Sequence, residues 1–204
     1  MSYSRFYPLT LLLAGACAQR LAPVIEVVPQ GAPGAITVTS AGSDIRLSAD
    51  IATLRARALR LPVAGVSVDE LQDTFAEPRD GGRQHNAIDI LAPRGTPVLA
   101  ADDGYVLRLS MNTAGGITVY ATDKDERYVY YYAHLDAYHL RLVEGRRLAK
   151  GDTLGYVGTT GNAPKDIPHL HFQIMRMPLD GKYWNGEPIN PFEVLHSSGV
   201  MTAR

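Results

Sequence analysis

Two periodicities divide the chain. Over residues 50–61, Ile51, Leu54, Ala58 and Leu61 recur at helical spacing, with Arg55, Arg57 and Arg60 off the stripe. That pattern predicts a short helix. Ser48 suits its N-cap and Pro62 its end, and the arginines read as a solvated basic face. From Leu61 onward short β runs take over, at 98–100, 104–109, 117–122, 128–135, 153–159 and 169–175. Over 117–122 apolar and polar residues alternate at period two, the mark of a strand buried on one face. Asp123-Lys124-Asp125-Glu126 is a polar loop that predicts a hairpin between its flanking runs. Gly158-Thr159-Thr160-Gly161-Asn162 is a second turn cluster. No long helix separates most of these runs, so the expectation is a mainly β domain with a largely antiparallel sheet.

Composition narrows the class. Of 204 residues 46% are hydrophobic and 20% charged, a globular balance at a length that suits one domain plus a leader. A formal charge of −1 offers no basic excess, so no nucleic-acid partner is expected. Residues 1–18 read as a secretion signal, with Arg5 before an apolar stretch at 6–16 that is too short to span a bilayer. Its end has two readings. Ala16-Cys17-Ala18 fits cleavage beside small residues, whereas Ala14-Gly15-Ala16-Cys17 resembles a lipoprotein box, in which Cys17 would be acylated and anchor the chain to a membrane. Either reading places the protein outside the cytoplasm, in the periplasm or cell envelope. Cys17 is the single cysteine, so no disulfide pair is expected. Residues 19–60, rich in Pro, Gly, Ala and Ser before the helix, read as a flexible tether carrying that helix. The main domain is expected at 61–196, with a tail at 197–204.

Candidate chemistry lies in the histidines. Of six, His85, His134, His169 and His171 stand in distinctive contexts: His85-Asn86-Ala87-Ile88-Asp89, Tyr132-Ala133-His134-Leu135 and His169-Leu170-His171-Phe172. On a strand, His169, His171 and Gln173 share one face, and Leu170, Phe172 and Ile174 face a core. His85 and Asp89 are separated by an even number, so an extended chain also puts them on one face. Two imidazoles and a carboxylate suit Zn²⁺, and three protein ligands leave one position open, as a catalytic site does. Each motif alone is weak; their joint presence is not a chance pattern. His139 and His196 have no such context.

These stretches resemble the lysostaphin-type (LytM-type) zinc peptidoglycan endopeptidases. The likeness runs in order through 82–90, Ala92-Pro93-Arg94-Gly95-Thr96-Pro97-Val98-Leu99-Ala100, Tyr132-Ala133-His134-Leu135, 150–158, Thr160-Gly161-Asn162, Pro168-His169-Leu170-His171-Phe172 and Ile189-Asn190-Pro191-Phe192. It implies a compact sheet that floors a groove and one Zn²⁺ held by His85, Asp89 and His171. It places His134 and His169 beside the metal as catalytic histidines. One of them accepts a proton from the attacking water and the other steadies the oxyanion; His169, two residues from a ligand, is favoured as the base. The implied substrate is the stem peptide of peptidoglycan, with D-alanyl cross-links the first expectation. Asn86, Tyr183 and Trp184 are the candidate groove residues; Tyr130 and Tyr131 read either as groove or as packing. Ala87 departs from the family, which usually has Gly there, and no wall-binding domain or long coiled coil is recognised. Two rivals are a non-enzymatic activator of cell-wall amidases, which the intact site residues argue against, and a carrier domain. The carrier reading rests on Gly104-Tyr105-Val106 and 150–155, similar to lipoyl-domain turns, and leaves the histidines unexplained.

Overall fold

The structure, a computed structural model, describes residues 40–196. The leader, Cys17, the start of the tether and the tail lie outside the described residues. In chain order the elements are α1 (Ser40–Ala56), β1 (Pro78–Arg79), β2 (Arg83–Gln84), β3 (Ile88–Leu91), β4 (Pro97–Leu99), β5 (Gly104–Asn112), β6 (Gly116–Asp123), β7 (Tyr128–Tyr138), β8 (Arg147–Leu148), β9 (Thr153–Val157), β10 (His169–Arg176), β11 (Glu187–Ile189) and α2 (Pro191–His196). Short 3-10 turns sit at Val68–Glu70, Asp80–Gly82 and Tyr183–Asn185. Among the described residues no helix is long and apolar enough to cross a membrane.

The main sheet runs β11-β10-β7-β6-β5-β8, with β3 against β10 and β9 joining β7 to β4. Its pairings are antiparallel, as expected for strands joined by short turns. β10 is central: it pairs with β7 along one edge, and with β3 and then β11 along the other. Period two decides what each face carries. Leu170, Phe172 and Ile174 of β10 join Tyr128, Tyr130 and Tyr132 of β7 and Ile88 and Ile90 of β3 in the core. His169, His171 and Gln173 take the opposite face of β10.

Three local expectations need correction. The helix spans Ser40–Ala56, not 50–61. Ser48 lies within it and its hydroxyl donates back to the Asp44 carbonyl at 2.9 Å, so it caps nothing. The stop comes before Pro62: Ala58 adopts φ +48, a left-handed residue that turns the chain out of the helix. Arg60 N–H then donates to the Ala101 carbonyl at 2.8 Å.

Of the three arginines, Arg55 and Arg60 are exposed, as expected of a solvated face, but Arg57 is drawn in. Arg57 pairs with Asp102 at 3.0 Å, Asp123 at 2.9 Å and Asp125 at 3.1 Å, and Arg55 donates to the Glu193 carbonyl. Those partners are distant in sequence, so helical periodicity does not reveal them. With Leu54 fully buried, α1 is part of the core.

The polar side of β6 is not solvated. Thr118 and Thr122 are 0% and 2% exposed, and Tyr120 between them is half-buried. The threonine hydroxyls are satisfied by the Ser110 and Tyr128 carbonyls.

Candidate metal centre

Strand register brings two of the site residues together. On the β3–β10 ladder His171 lies directly opposite Asp89, and opposed residues place their Cβ atoms about 5 Å apart. His85 arrives differently. Four residues of extended chain would carry it about 13 Å from Asp89, but Asn86 at φ +57 folds the chain back. His85 Nε2 then lies 3.0 Å from Asp89 Oδ1. A turn at Asn86, not the parity of an extended chain, makes this pair.

His85 Nε2, His171 Nδ1 and Asp89 Oδ1 converge. His85 Nε2 is 2.9 Å from His171 Nδ1, which is 3.2 Å from Asp89 Oδ1. The chemistry of the donor set favours a cation. His85 Nδ1–H donates to the Thr74 carbonyl at 2.9 Å, which can only accept. A neutral His85 therefore turns a bare Nε2 toward a carboxylate oxygen, two acceptors with no hydrogen between them. A cation lodged among the three atoms satisfies them all, and ligands on bonds of about 2.1 Å sit about 3.4 Å apart in a tetrahedron, close to the spacing here. Protonation agrees. Burial pushes His171 down despite its bond to Asp89. Burial alone would raise Asp89, but hydrogen bonds and charge from His171 and His85 outweigh it and hold the carboxyl well below its usual range. A neutral imidazole and an anionic carboxylate are the ligand forms.

His134 and His169 flank this triad. Their ring centroids are 5.0 Å apart, His134 is 5.7 Å from His171, and His169 Nε2 is 3.8 Å from Asp89 Oδ1. One loop orients both. The Thr160 carbonyl accepts from His134 Nδ1 at 2.9 Å and the Ile167 carbonyl from His169 Nδ1 at 2.8 Å. Each Nε2 is thereby left free to take a proton. Burial also pushes His134 down, to about 4, against the bond to Thr160 that raises it.

His134 reaches this face only through a bulge. Tyr128, Tyr130 and Tyr132 point into the core, and strict alternation would send His134 after them. Between Ile117↔Leu135 and Val119↔Tyr132 the register slips, so Thr118 alone faces Ala133 and His134. His134 takes φ +61, and its N–H donates to the Gly115 carbonyl at 2.7 Å.

An aromatic run leads away from the triad. Tyr131 stands edge-on to His171 at 6.0 Å, Tyr120 lies 4.4 Å from Tyr131, and Tyr183 joins Tyr120 and Trp184 at 5.0 Å each. Trp184 is 58% exposed. Tyr130 is not part of it: its hydroxyl donates to Asp102 in the core. His139 lies in the turn after β7, and His196 stacks on Phe192 in α2.

The sequence reading missed Thr74, Arg79, Tyr120, Thr160 and Ile167. Thr74, Thr160 and Ile167 orient the histidines through backbone carbonyls, which leave no side-chain signature. Tyr120 enters through its register with Tyr131, and Arg79 through an ion pair to Asp89 Oδ2 at 2.8 Å.

Known proteins resemble this chain in sequence and in fold. ShyC of Vibrio cholerae, a peptidoglycan DD-endopeptidase, is 38% identical over 94 residues, 46% of this chain and 20% of its own. ALE-1 of Staphylococcus capitis, a glycyl-glycine endopeptidase, is 30% identical over 119 residues, 58% of this chain and 31% of its own. The chain thus spans a third or less of these curated relatives. The solved structure of LytU superposes with a TM-score of 0.50 at 31% identity, covering 60% of this chain and 81% of that one. The profile of peptidase family M23 matches residues 83–191, more than half of the chain and a span that holds all four site histidines and Asp89. The chain therefore belongs to peptidase family M23.

Proposed function

We propose that the protein is a zinc-dependent endopeptidase that hydrolyses peptide cross-links of peptidoglycan. The observation that carries it is the convergence of His85, Asp89 and His171, whose ligand atoms lie within 4.8 Å of one another, beside two histidines with free Nε2 atoms. In this reading the three are the ligands of one Zn²⁺. When bound, the metal supplies Lewis acidity, which makes water nucleophilic at neutral pH and polarises the scissile carbonyl.

The chain's own residues handle the protons. His169 is the base, because its Nε2 lies 3.8 Å from Asp89 Oδ1 and its Nδ1–H is committed to Ile167. The proton it takes from water goes to the leaving amine. His134 also has its Nδ1–H committed, to Thr160, and turns Nε2 toward the reacting groups; it donates to the developing oxyanion once that nitrogen carries a proton, a charge that burial opposes in the resting site. Tyr131, Tyr120, Tyr183 and Trp184 offer a wall along which a peptide can lie, with Asn86 at the turn between two ligands.

The catalytic part is assigned to 61–196 and the leader to 1–18, which puts the protein in the cell envelope, anchored through Cys17 if that residue is acylated. D-alanyl cross-links are the proposed bond, in line with the name of the Vibrio cholerae relative. The test is digestion of purified sacculi by the zinc-loaded protein, with mass spectrometry of the released fragments. Cleavage between stem peptides is expected; intact cross-links with stoichiometric zinc present would overturn the reading in favour of a non-enzymatic role.

A further inference from the structure

Residues 74–79 precede the span that matches the family, yet four of the six are laced to the His85–Asp89 motif. The Thr74 carbonyl accepts from His85 Nδ1, and its hydroxyl accepts from Asp89 N–H at 3.2 Å. The Phe75 carbonyl accepts from Asn86 N–H and the Glu77 carbonyl from His85 N–H, both at 2.9 Å. Arg79 then closes the set by donating from a terminal nitrogen to Asp89 Oδ2 at 2.8 Å.

We propose that Arg79 is a positioning residue of the metal centre: by taking Oδ2 of Asp89, it leaves Oδ1 as the single carboxylate oxygen presented to His85 and His171. The proposal rests on the metal reading above. A carboxylate has two equivalent oxygens, and one that swings freely can offer both to a cation. That would use up coordination space that a water or substrate carbonyl needs. Arg79 is well placed to prevent it. It stands on β1, and the two-residue ladder to β2 registers Pro78 with Gln84 and Arg79 with Arg83, immediately before His85. The distance from the guanidinium to the site is therefore set by backbone pairing. Because the Arg79 side chain is 38% exposed, its charge is screened by solvent and an ion pair of this kind adds little stability. Its consequence lies in orientation, as outer-shell partners of metal ligands generally act.

The test uses the full chain with Co²⁺ in place of zinc. Cobalt's visible absorption weakens sharply when a fifth ligand atom joins four. Arg79→Ala is expected to lower that absorption and to reduce kcat on stem-peptide dimers about tenfold or more, with KM changed less than twofold. Arg79→Lys, which keeps a donor to Oδ2, should restore most of both. Glu77→Ala, which removes the second carboxylate near Arg79 at 3.6 Å but keeps the Asp89 contact, should match wild type. An Arg79→Ala protein with the wild-type cobalt spectrum and the wild-type kcat overturns the proposal alone. Failure of the wild type to take up zinc or cobalt overturns the metal reading, and this inference with it.

Discussion

His134 shows how much a single backbone angle decides. A non-glycine residue at φ +61 costs about 1 kcal/mol or more and persists only where the surroundings impose it. Here the imposition comes from the bulge opposite Thr118 and the bond from His134 N–H to Gly115. The strain delivers an imidazole to the metal face that alternation would have buried. If His134 acts on the reacting groups and not on the metal, His134→Ala keeps stoichiometric zinc by atomic emission while turnover of sacculi falls about 10²–10⁴-fold. His171→Ala belongs to the other class. It removes one of three converging ligand atoms, so bound zinc should be lost with activity; stoichiometric zinc in that variant would contradict the ligand assignment.

At the scale of elements, the loop after β9 governs the pair of catalytic candidates. It supplies both carbonyls that orient His134 and His169, and it is held by close backbone contact with the β5–β6 turn. Gly161 has φ +71, and a Cβ there would meet the Ala114 carbonyl oxygen and Gly116 N at 2.3 Å. Thr160 fastens the same junction, its hydroxyl donating to the Leu135 carbonyl at 2.7 Å and accepting from Ile117 N–H at 2.9 Å. Gly161→Ala combines an unfavourable φ with overpacking against backbone. It should cost about 2–4 kcal/mol in urea unfolding. Where the folded variant is assayed, zinc should be retained and turnover reduced, because the loop and not the triad has moved.

For the whole described domain, the fastening of α1 to the sheet is electrostatic as well as apolar. Asp50 accepts from Tyr128 and from Arg176, and Arg57 gathers Asp102, Asp123 and Asp125 on the far side of the sheet from the histidines. Asp102 and Asp123 are buried. Removing Arg57 strands them, and breaking a buried pair costs about 3–5 kcal/mol. Tyr130 and Lys150 still face Asp102, so Arg57→Met should fall at the low end, about 3 kcal/mol, read as a lower urea midpoint with zinc content unchanged. Insensitivity of that midpoint would show that the Arg57 cluster adds nothing to the fastening of α1, leaving the Asp50 contacts and the apolar face to hold it.

Periodicity and motif spacing, which are local, determined a good deal. The alternation over 169–175 put His169 and His171 on one face and Leu170, Phe172 and Ile174 in the core, as β10 has them. The turn residues foretold the β6–β7 hairpin, and the histidine motifs marked the residues that converge. Tertiary structure decided whatever depended on partners remote in sequence. It opposed Asp89 to His171 through the β3–β10 register, folded His85 back at Asn86, and flipped His134 across the sheet by one unmatched residue. It also buried Thr118 and Thr122 of β6 and gave Arg57 its three carboxylates. The physical reason is the same in each case. Side-chain direction follows from the local backbone repeat only while that repeat is unbroken, and bulges, left-handed residues and strand register are fixed by contacts that exist only once distant segments have packed together.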